Sequence, residues 1–520
     1  MKHRASSPSR CPAGRYALVV ATSLLSLVLL SLLRFIDGDE GYLLLAAKLV
    51  SEGKLPYRDF FFPQGPLLPV LYAALLSPFG ITWQSGRFLS AALAAGTGWL
   101  VLVAIGRRGG DPPAKAFGAF LFATTALAFA WLPIAKTYSL AAFFSMAAYV
   151  ATLPARDEPR ATRRAIGLGL SAAMAVGVRL YCLAVVPILF VAFWRSVRRD
   201  KRRELIVALG AFVAGLLPSL WICASDPENA LYGLLGYHLN RSALGFGASL
   251  SQKVLVVREL LGFGSSGHAA GLQLTALLVV LGIAAWRGAR QVRRDGALAV
   301  AAGLAIVSLL PTPTFSQYFA LCVPLLIPAV ALSLSDAWSK RSMLARRSVL
   351  VGALAGYAAL GAVEWIRYGV TGNSVIGVDR PEAWTLSASA EVARLLDTQA
   401  ECGPVLSSWP GYLLESKAAP FEGSENHFST LAGKALGTAD QRRRRRVVSS
   451  SELLALIDSE GAATIVLGNW MTDTFEADPT VVLVAKGYRL VAETTGATIW
   501  ASRRSECGPL GGERLAADRQ

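Results

Sequence analysis

Arg34-Phe35-Ile36-Asp37-Gly38-Asp39-Glu40-Gly41-Tyr42 starts at the end of an apolar run that fills positions 16 to 35. A run of that length is close to the roughly 20 residues that an α-helix needs to cross the hydrocarbon of a bilayer. The carboxylates of Asp37, Asp39 and Glu40 therefore stand where the chain leaves the membrane. A carboxylate held at that boundary is partly desolvated, which raises its basicity and suits it to work as a general base or metal ligand. Chemistry on lipid-borne substrates is the expectation that follows.

The rest of the chain has the same character. With 53% hydrophobic and only 17% charged residues over 520 positions, it cannot be one soluble globule. Apolar runs recur at 16–35, 86–105, 115–133, 137–153, 165–178, 181–194, 204–223, 270–286, 297–311, 317–334 and 348–366, about eleven membrane spans by length. The runs at 165–178 and 181–194 are short and read as one helical hairpin bent at Arg179. Pro66, Pro69 and Pro78 interrupt the apolar stretch from Pro66 to Phe79, which reads as interfacial or re-entrant. The fold class expected is mostly α, a polytopic helical bundle over 1–366, followed by a small α/β domain over 367–520.

Sidedness comes from the positive charge, because short cytoplasmic loops carry the Lys and Arg excess. Clusters at Lys2/Arg4/Arg10/Arg15, Arg107/Arg108/Lys115, Arg156/Arg160/Arg163/Arg164, Arg195 to Arg203, Arg287/Arg290/Arg293/Arg294 and Lys340/Arg341/Arg346/Arg347 all fall on one side of the spans. The N-terminus is thus expected in the cytoplasm, with the loop 37–85 and the tail from 367 outside. This sidedness accounts for most of the net charge of +16 and excludes nucleic acid as a partner, which would want the charge on one soluble module with aromatic platforms. The first run is longer than the apolar region of a signal peptide and lacks a small-x-small site before Asp37, so it is expected to stay as the first span.

Of the six cysteines, Cys11, Cys182, Cys223 and Cys322 lie in or near apolar runs with no metal-ligand spacing. Cys402 and Cys507 both occur in Glu-Cys-Gly-Pro within the exterior tail, where a disulfide would persist; a bridge and two unpaired thiols both remain open. In that tail, Pro404 to Ser408, Ala463 to Leu467 and Thr498 to Ala501 read as short buried strands. Ser387 to Ala400 and Ser449 to Ser459 read as helices, the second opened by a Ser449-x-x-Glu452 capping box. The run Arg442 to Arg446 reads as a solvated loop, with attraction to anionic lipid head groups as the alternative.

Returning to the first exterior loop, Leu43, Ala46, Ala47 and Val50 mark an amphipathic helix that Gly53 ends, and an Asp at its start would cap free N–H groups. Local physics leaves capping and catalysis open for Asp39. The following Pro56-Tyr57-Arg58-Asp59-Phe60-Phe61-Phe62-Pro63-Gln64-Gly65-Pro66 adds a cation and what reads as a belt of interfacial aromatics.

These residues resemble a known family. Asp39-Glu40-x-Tyr42, Ala46, Pro56-Tyr57-Arg58-Asp59, the proline-rich turn, Phe79-Gly80 and Gly86-Arg87-Phe88-Leu89-Ser90 together look like integral-membrane glycosyltransferases of the GT-C class. The likeness is to the bacterial branch similar to protein mannosyltransferases and lipid A aminoarabinose transferases (glycosyltransferase family 39-like). Gly167 to Arg179, Tyr237-His238-Leu239-Asn240-Arg241-Ser242 and Ser316-Gln317-Tyr318-Phe319 to Pro324 are similar to later motifs of that branch. The resemblance implies a hexosyl- or pentosyltransferase of the bacterial cytoplasmic membrane, active on its outer face. Its donor would be a polyprenyl-phosphate sugar, its acceptor a lipid, glycan or protein, and displacement would invert the anomeric carbon. The catalytic base would be Asp39, with Glu40 beside it. Tyr57, Arg58, Arg87, Arg179, His238, Arg241 and Tyr318 would serve substrate or its phosphate, although a snorkelling Arg at a helix end is the plainer reading of each arginine.

Two departures from the family pattern stand out. Many members carry an acidic residue where this chain has Ala135-Lys136-Thr137-Tyr138-Ser139, and a His where it has Gln64-Gly65-Pro66. Metal dependence is thus not implied, although Asp37, Asp39 and Glu40 offer hard oxygens to a divalent cation. His3, His238, His268 and His427 form no zinc motif. A transporter or flippase of lipid-linked sugars would share this topology, and a non-catalytic sugar-lipid-binding protein would tolerate the missing acid.

Overall fold

The computed structural model describes residues 13–154, 161–241, 245–263, 268–287, 296–339, 344–371, 381–399, 403–459, 461–468 and 479–502. Cys11, Cys402 and Cys507 lie outside these residues, so the bridge between the last two stays a proposal. The chain is mostly helical, and each of the apolar runs forms helix. Among the described residues, six helices are long and apolar enough to cross a membrane: Tyr16–Leu33, Trp83–Arg107, Lys201–Ser225, Ala269–Trp286, Ser316–Ser339 and Arg347–Thr371. Leu67–Phe79, Leu180–Ser196 and Gly296–Ser308 are apolar but shorter.

The chain divides into two compact units. The first comprises Met1–Arg34, Arg87–Pro218 and Leu244–Gly369; the second comprises Phe35–Gly86, Ser219–Ala243 and Val370–Gln520. The first loop thus belongs to the same unit as the tail, a grouping that a cut at 366 does not express.

In the first unit, Thr137–Thr152 packs against Thr162–Val178, and Ala13–Leu33 and Val323–Ser339 both pack against Pro112–Thr124. Glycine permits one especially close crossing: a Cβ on Gly169 would fall 2.3 Å from the carbonyl oxygen of Ala208. The run at 115–133 is not one helix. Thr125 is extended, and the buried Gln273 amide takes over the ladder there, accepting from Ala126 N at 2.8 Å and donating to Thr124 O at 2.8 Å and Tyr357 O at 2.7 Å. A backbone break in an apolar interior persists only when its freed groups find such partners. The hairpin bent at Arg179 is present: Thr162–Val178 ends there with φ −148° and ψ 104°, and a 3₁₀ turn over Leu180–Val185 leads into Val186–Ser196.

In the second unit, β1 (Val405–Ser407), β2 (Thr464–Gly468), β3 (Arg489–Glu493) and β4 (Ala497–Ala501) form one sheet in the order β1-β2-β4-β3, parallel only between β1 and β2. Leu406, Ile465, Leu467 and Trp500 from the sheet meet Leu453, Ile457 and Leu483 from the helices in one core. The helix Ser450–Asp458 starts at the expected capping box of Ser449 and Glu452. Arg442 to Arg446 differs from the expected solvated loop. Ala439–Arg444 is helical, and ion pairs tie Arg442 to Glu452 at 2.8 Å and Arg446 to Glu422 at 2.9 Å.

Candidate functional site

The acidic stretch after the first span folds as the start of the helix Gly38–Ser51. Its N-cap is Asp37, whose side chain accepts from Asp39 N at 3.1 Å, while Glu40 Oε1 accepts from Asp37 N at 2.8 Å. This reciprocal capping box satisfies two of the donors that a helix start leaves open. It also engages Asp37 and Glu40 in holding backbone, leaving the Asp39 carboxylate uninvolved in the cap. The Asp37-x-x-Glu40 spacing was the sequence signal for this, the same one that marks Ser449 and Glu452.

Residues from the tail fix this helix. Trp409 Nε1 donates to Gly38 O at 2.8 Å, and the Trp409 ring stacks on Trp83 with 5.6 Å between centroids. Gly41 is required at the contact, because a Cβ there would lie 2.7 Å from both Trp409 and Gly411. At the other end, Lys48 Nζ donates to the carbonyls of Leu413, Leu414 and Ser416 at 3.2, 3.2 and 2.5 Å, and burial lowers the pKa of its amine. No pattern in the sequence announced Trp409 or Lys48.

Asp39 keeps a quarter of its side chain accessible (25%), and its Oδ1 lies 3.7 Å from Nε2 of His427, whose side chain is fully enclosed at 0%. The imidazole packs in a three-ring cluster with Tyr42, at 5.2 Å edge-on, and Phe428, at 4.2 Å, which are themselves 5.7 Å apart. Nearby, the buried Glu425 carboxyl is pushed up to about 7, chiefly by burial and against the pull of its own and Gly423's backbone N–H groups and of Lys54.

The aromatics after Tyr57 are interior rather than interfacial. Phe60, Phe61 and Phe62 are buried, with Phe61 edge-on to Tyr237 at 5.5 Å and tilted against Tyr232 at 6.0 Å. Their consecutive placement hid this, because alternate faces are both covered by protein. Tyr57 is also buried, with φ +71°, and its hydroxyl donates to Gln64 O at 2.6 Å. Arg58 forks onto Asp59, with Nη2 to Oδ2 at 2.7 Å, and this partner holds the Asp59 carboxyl below its ordinary range. A ring nitrogen of His238 lies 2.9 Å from Pro63 O, and the Arg241 guanidinium stands 5.6 Å from the Phe428 ring.

Three cations gather in the first unit. The Arg179 guanidinium is buried against Tyr138 at 4.3 Å, Tyr181 at 4.5 Å and Tyr318 at 5.3 Å, and Nη1 donates to Thr137 Oγ1. Lys136 Nζ stands 5.0 Å from Trp131 and 5.7 Å from Tyr138 and donates to Gln317 Oε1 at 3.1 Å. Arg34 lies over Trp131 at 5.0 Å and Tyr368 at 4.9 Å. Cations alternate here with aromatic faces, which hold positive charge in low dielectric through the ring quadrupole. Sequence reasoning singled out Arg179 and Tyr318 but treated Lys136 only as a missing acid and did not reach Arg34. Arg87 is placed differently: it is buried, and its Nη1 donates to Ser31 O and, at 3.3 Å, to Arg34 O, closing the carbonyl end of the first span. Among the described residues no group of three His, Cys, Asp or Glu side chains is arranged to hold a metal ion.

No protein-family profile matches the sequence, and no curated protein matches it. Among solved structures, ArnT from Cupriavidus metallidurans bound to undecaprenyl phosphate aligns over 96% of this chain and 100% of its own, with TM-score 0.67 and 14% identity. The same protein in the apo state aligns over 95% of this chain and 99% of its own, again with TM-score 0.67 and 14% identity. The Archaeoglobus fulgidus oligosaccharyltransferase complexed with zinc and sulfate aligns over 93% of this chain and 73% of its own, at TM-score 0.49 and 14% identity. The chain therefore has the fold of ArnT, the GT-C architecture that its first-loop motifs resemble.

Proposed function

We propose that this protein is a multi-pass glycosyltransferase of the bacterial inner membrane that moves a sugar from a polyprenyl-phosphate donor to an acceptor on the outer face. The observation that carries this reading is the match of fold, nearly end to end, to an ArnT structure that holds undecaprenyl phosphate. In the reaction, an acceptor hydroxyl or amine attacks the anomeric carbon while the bond to the lipid phosphate oxygen breaks, and the configuration inverts. Asp39 accepts the acceptor's proton. Its carboxylate stays accessible at 25% at the start of the helix, beside the capping pair Asp37 and Glu40. The leaving phosphate gains charge as its bond breaks, and buried, preorganised cations stabilise such charge strongly. The buried cations of the first unit, Arg179, Lys136 and Arg34, have the chemistry to hold a lipid phosphate.

Purified protein in detergent, offered a panel of radiolabelled polyprenyl-phosphate sugars with membrane lipid extract as acceptor, should transfer label from at least one of them. Facilitated movement of an intact lipid-linked sugar across proteoliposomes, with no label transferred, would favour a flippase. The cation Lys136 in place of an acid favours a second reading, a protein that binds the lipid-linked sugar without reacting; saturable donor binding with no transfer in that panel is its signature.

A further inference from the structure

We infer that His427, supplied by the tail, is a positioning residue for Asp39: its Nε2–H orients the carboxylate so that one oxygen faces the acceptor. This inference rests on the reading of Asp39 as the base. The two side chains divide by exposure, since Asp39 is accessible at 25% and His427 is enclosed at 0%. Substrate can therefore reach the carboxylate and not the imidazole. The separation of 3.7 Å is within ion-pair range and longer than a hydrogen bond. Catalytic hydrogen bonds are often long before substrate binds and tighten in the complex.

The surroundings favour a fixed ring. Tyr42, one turn along the helix that carries Asp39, meets the imidazole edge-on, and Phe428 packs against both rings. The helix itself is tied to the tail through Trp409 and Lys48. Carboxylate and imidazole are thus held in register by the same unit of structure, from segments far apart in sequence. When Asp39 takes the acceptor's proton, it becomes a neutral acid. The Nε2–H of His427 stays in place throughout, and the proton leaves from the accessible side of Asp39 after the product departs. His427 carries no net proton through the cycle.

The tautomer and the substitutions test this together. A hydrogen bond at one ring nitrogen decides which nitrogen carries the proton in the neutral ring. ¹⁵N spectra of histidine-labelled protein in detergent, assigned with His427→Gln, should show the Nε2-protonated form at position 427 and loss of that preference in Asp39→Ala. This arm does not need transfer activity, so it can fail or succeed separately from the proposed reaction. In transfer assays, His427→Gln keeps an N–H donor near the Nε2 position, whereas His427→Phe keeps an aromatic ring against Tyr42 and Phe428 but no donor. Phe should lower kcat about ten- to a hundredfold, a part of what a general base contributes, with the donor KM unchanged, and Gln should restore most of it. A Phe variant as active as wild type with a poor Gln variant would reduce His427 to packing and overturn the inference. So would a tautomer preference that Asp39→Ala leaves unaltered.

Discussion

Asp37 and Asp39 carry the same side chain at the two ends of one hydrogen bond, and the fold gives them different work. Asp37 accepts from Asp39 N and closes the cap, so Asp37→Ala should lower stability by about 1 kcal/mol, the usual effect of losing a cap, seen as a lower melting temperature in detergent. Asp39→Asn should melt with wild type; an equal loss in both variants would make Asp39 structural as well. The sequence could not choose between the two, because Asp37-Gly38-Asp39-Glu40 offers two candidate caps only two residues apart. His427 was unreadable for a related reason: nothing local in Asn426-His427-Phe428 points to a carboxylate far earlier in the chain. Glu425 gives a prediction with a definite sign. Burial raises its pKa to about 7 in the fold, above its ordinary value, so folding favours its protonated form. The wild-type protein should lose stability as pH rises from the ordinary carboxylate range through about 7, by a few kcal/mol at most. Glu425→Gln should flatten that slope, and the two proteins should converge below about pH 4; a slope that Gln leaves intact assigns the effect elsewhere.

At the scale of elements, helices were the legible part. Runs of apolar residues fixed where they form, and Arg179 marked the bend between two of them. The break at Thr125 was not legible, since the amide that satisfies it comes from Gln273 on another helix. The strand β3 was missed because it lies at the sheet edge and mostly faces outward, so it lacks the buried apolar run that marked β1, β2 and β4. The cationic cluster was half legible: Arg179 closes a glycine-rich helix, but Lys136 reads as a departure until Trp131, Tyr138 and Gln317 are seen around it. A charged hydrogen bond to phosphate contributes about 1.5–3 kcal/mol. Lys136→Met should therefore raise the donor KM on the order of tenfold or more while the protein folds normally, and Lys136→Arg should recover most of the loss. An unchanged KM in Lys136→Met would remove Lys136 from the phosphate site.

For the whole molecule, the basic clusters predict which loops face the cytoplasm. Ser51→Cys and Ser459→Cys, both at exposed positions, should label with an impermeant thiol reagent in intact spheroplasts, and Arg199→Cys should label only after permeabilisation. Protection at both Ser51 and Ser459 would invert the topology and move Asp39 to the wrong face for an exported acceptor. The near end-to-end likeness to ArnT sets the architecture, and the proposed chemistry rests on Asp39. The most direct measurement is single-turnover transfer from a radiolabelled polyprenyl-phosphate sugar by wild type and Asp39→Asn, each shown by its melting curve to be folded. Loss of the base should slow transfer by about a hundred- to ten-thousandfold, with donor binding retained. Transfer by folded Asp39→Asn at the wild-type rate would contradict the assignment of the base and, with it, the proposed mechanism.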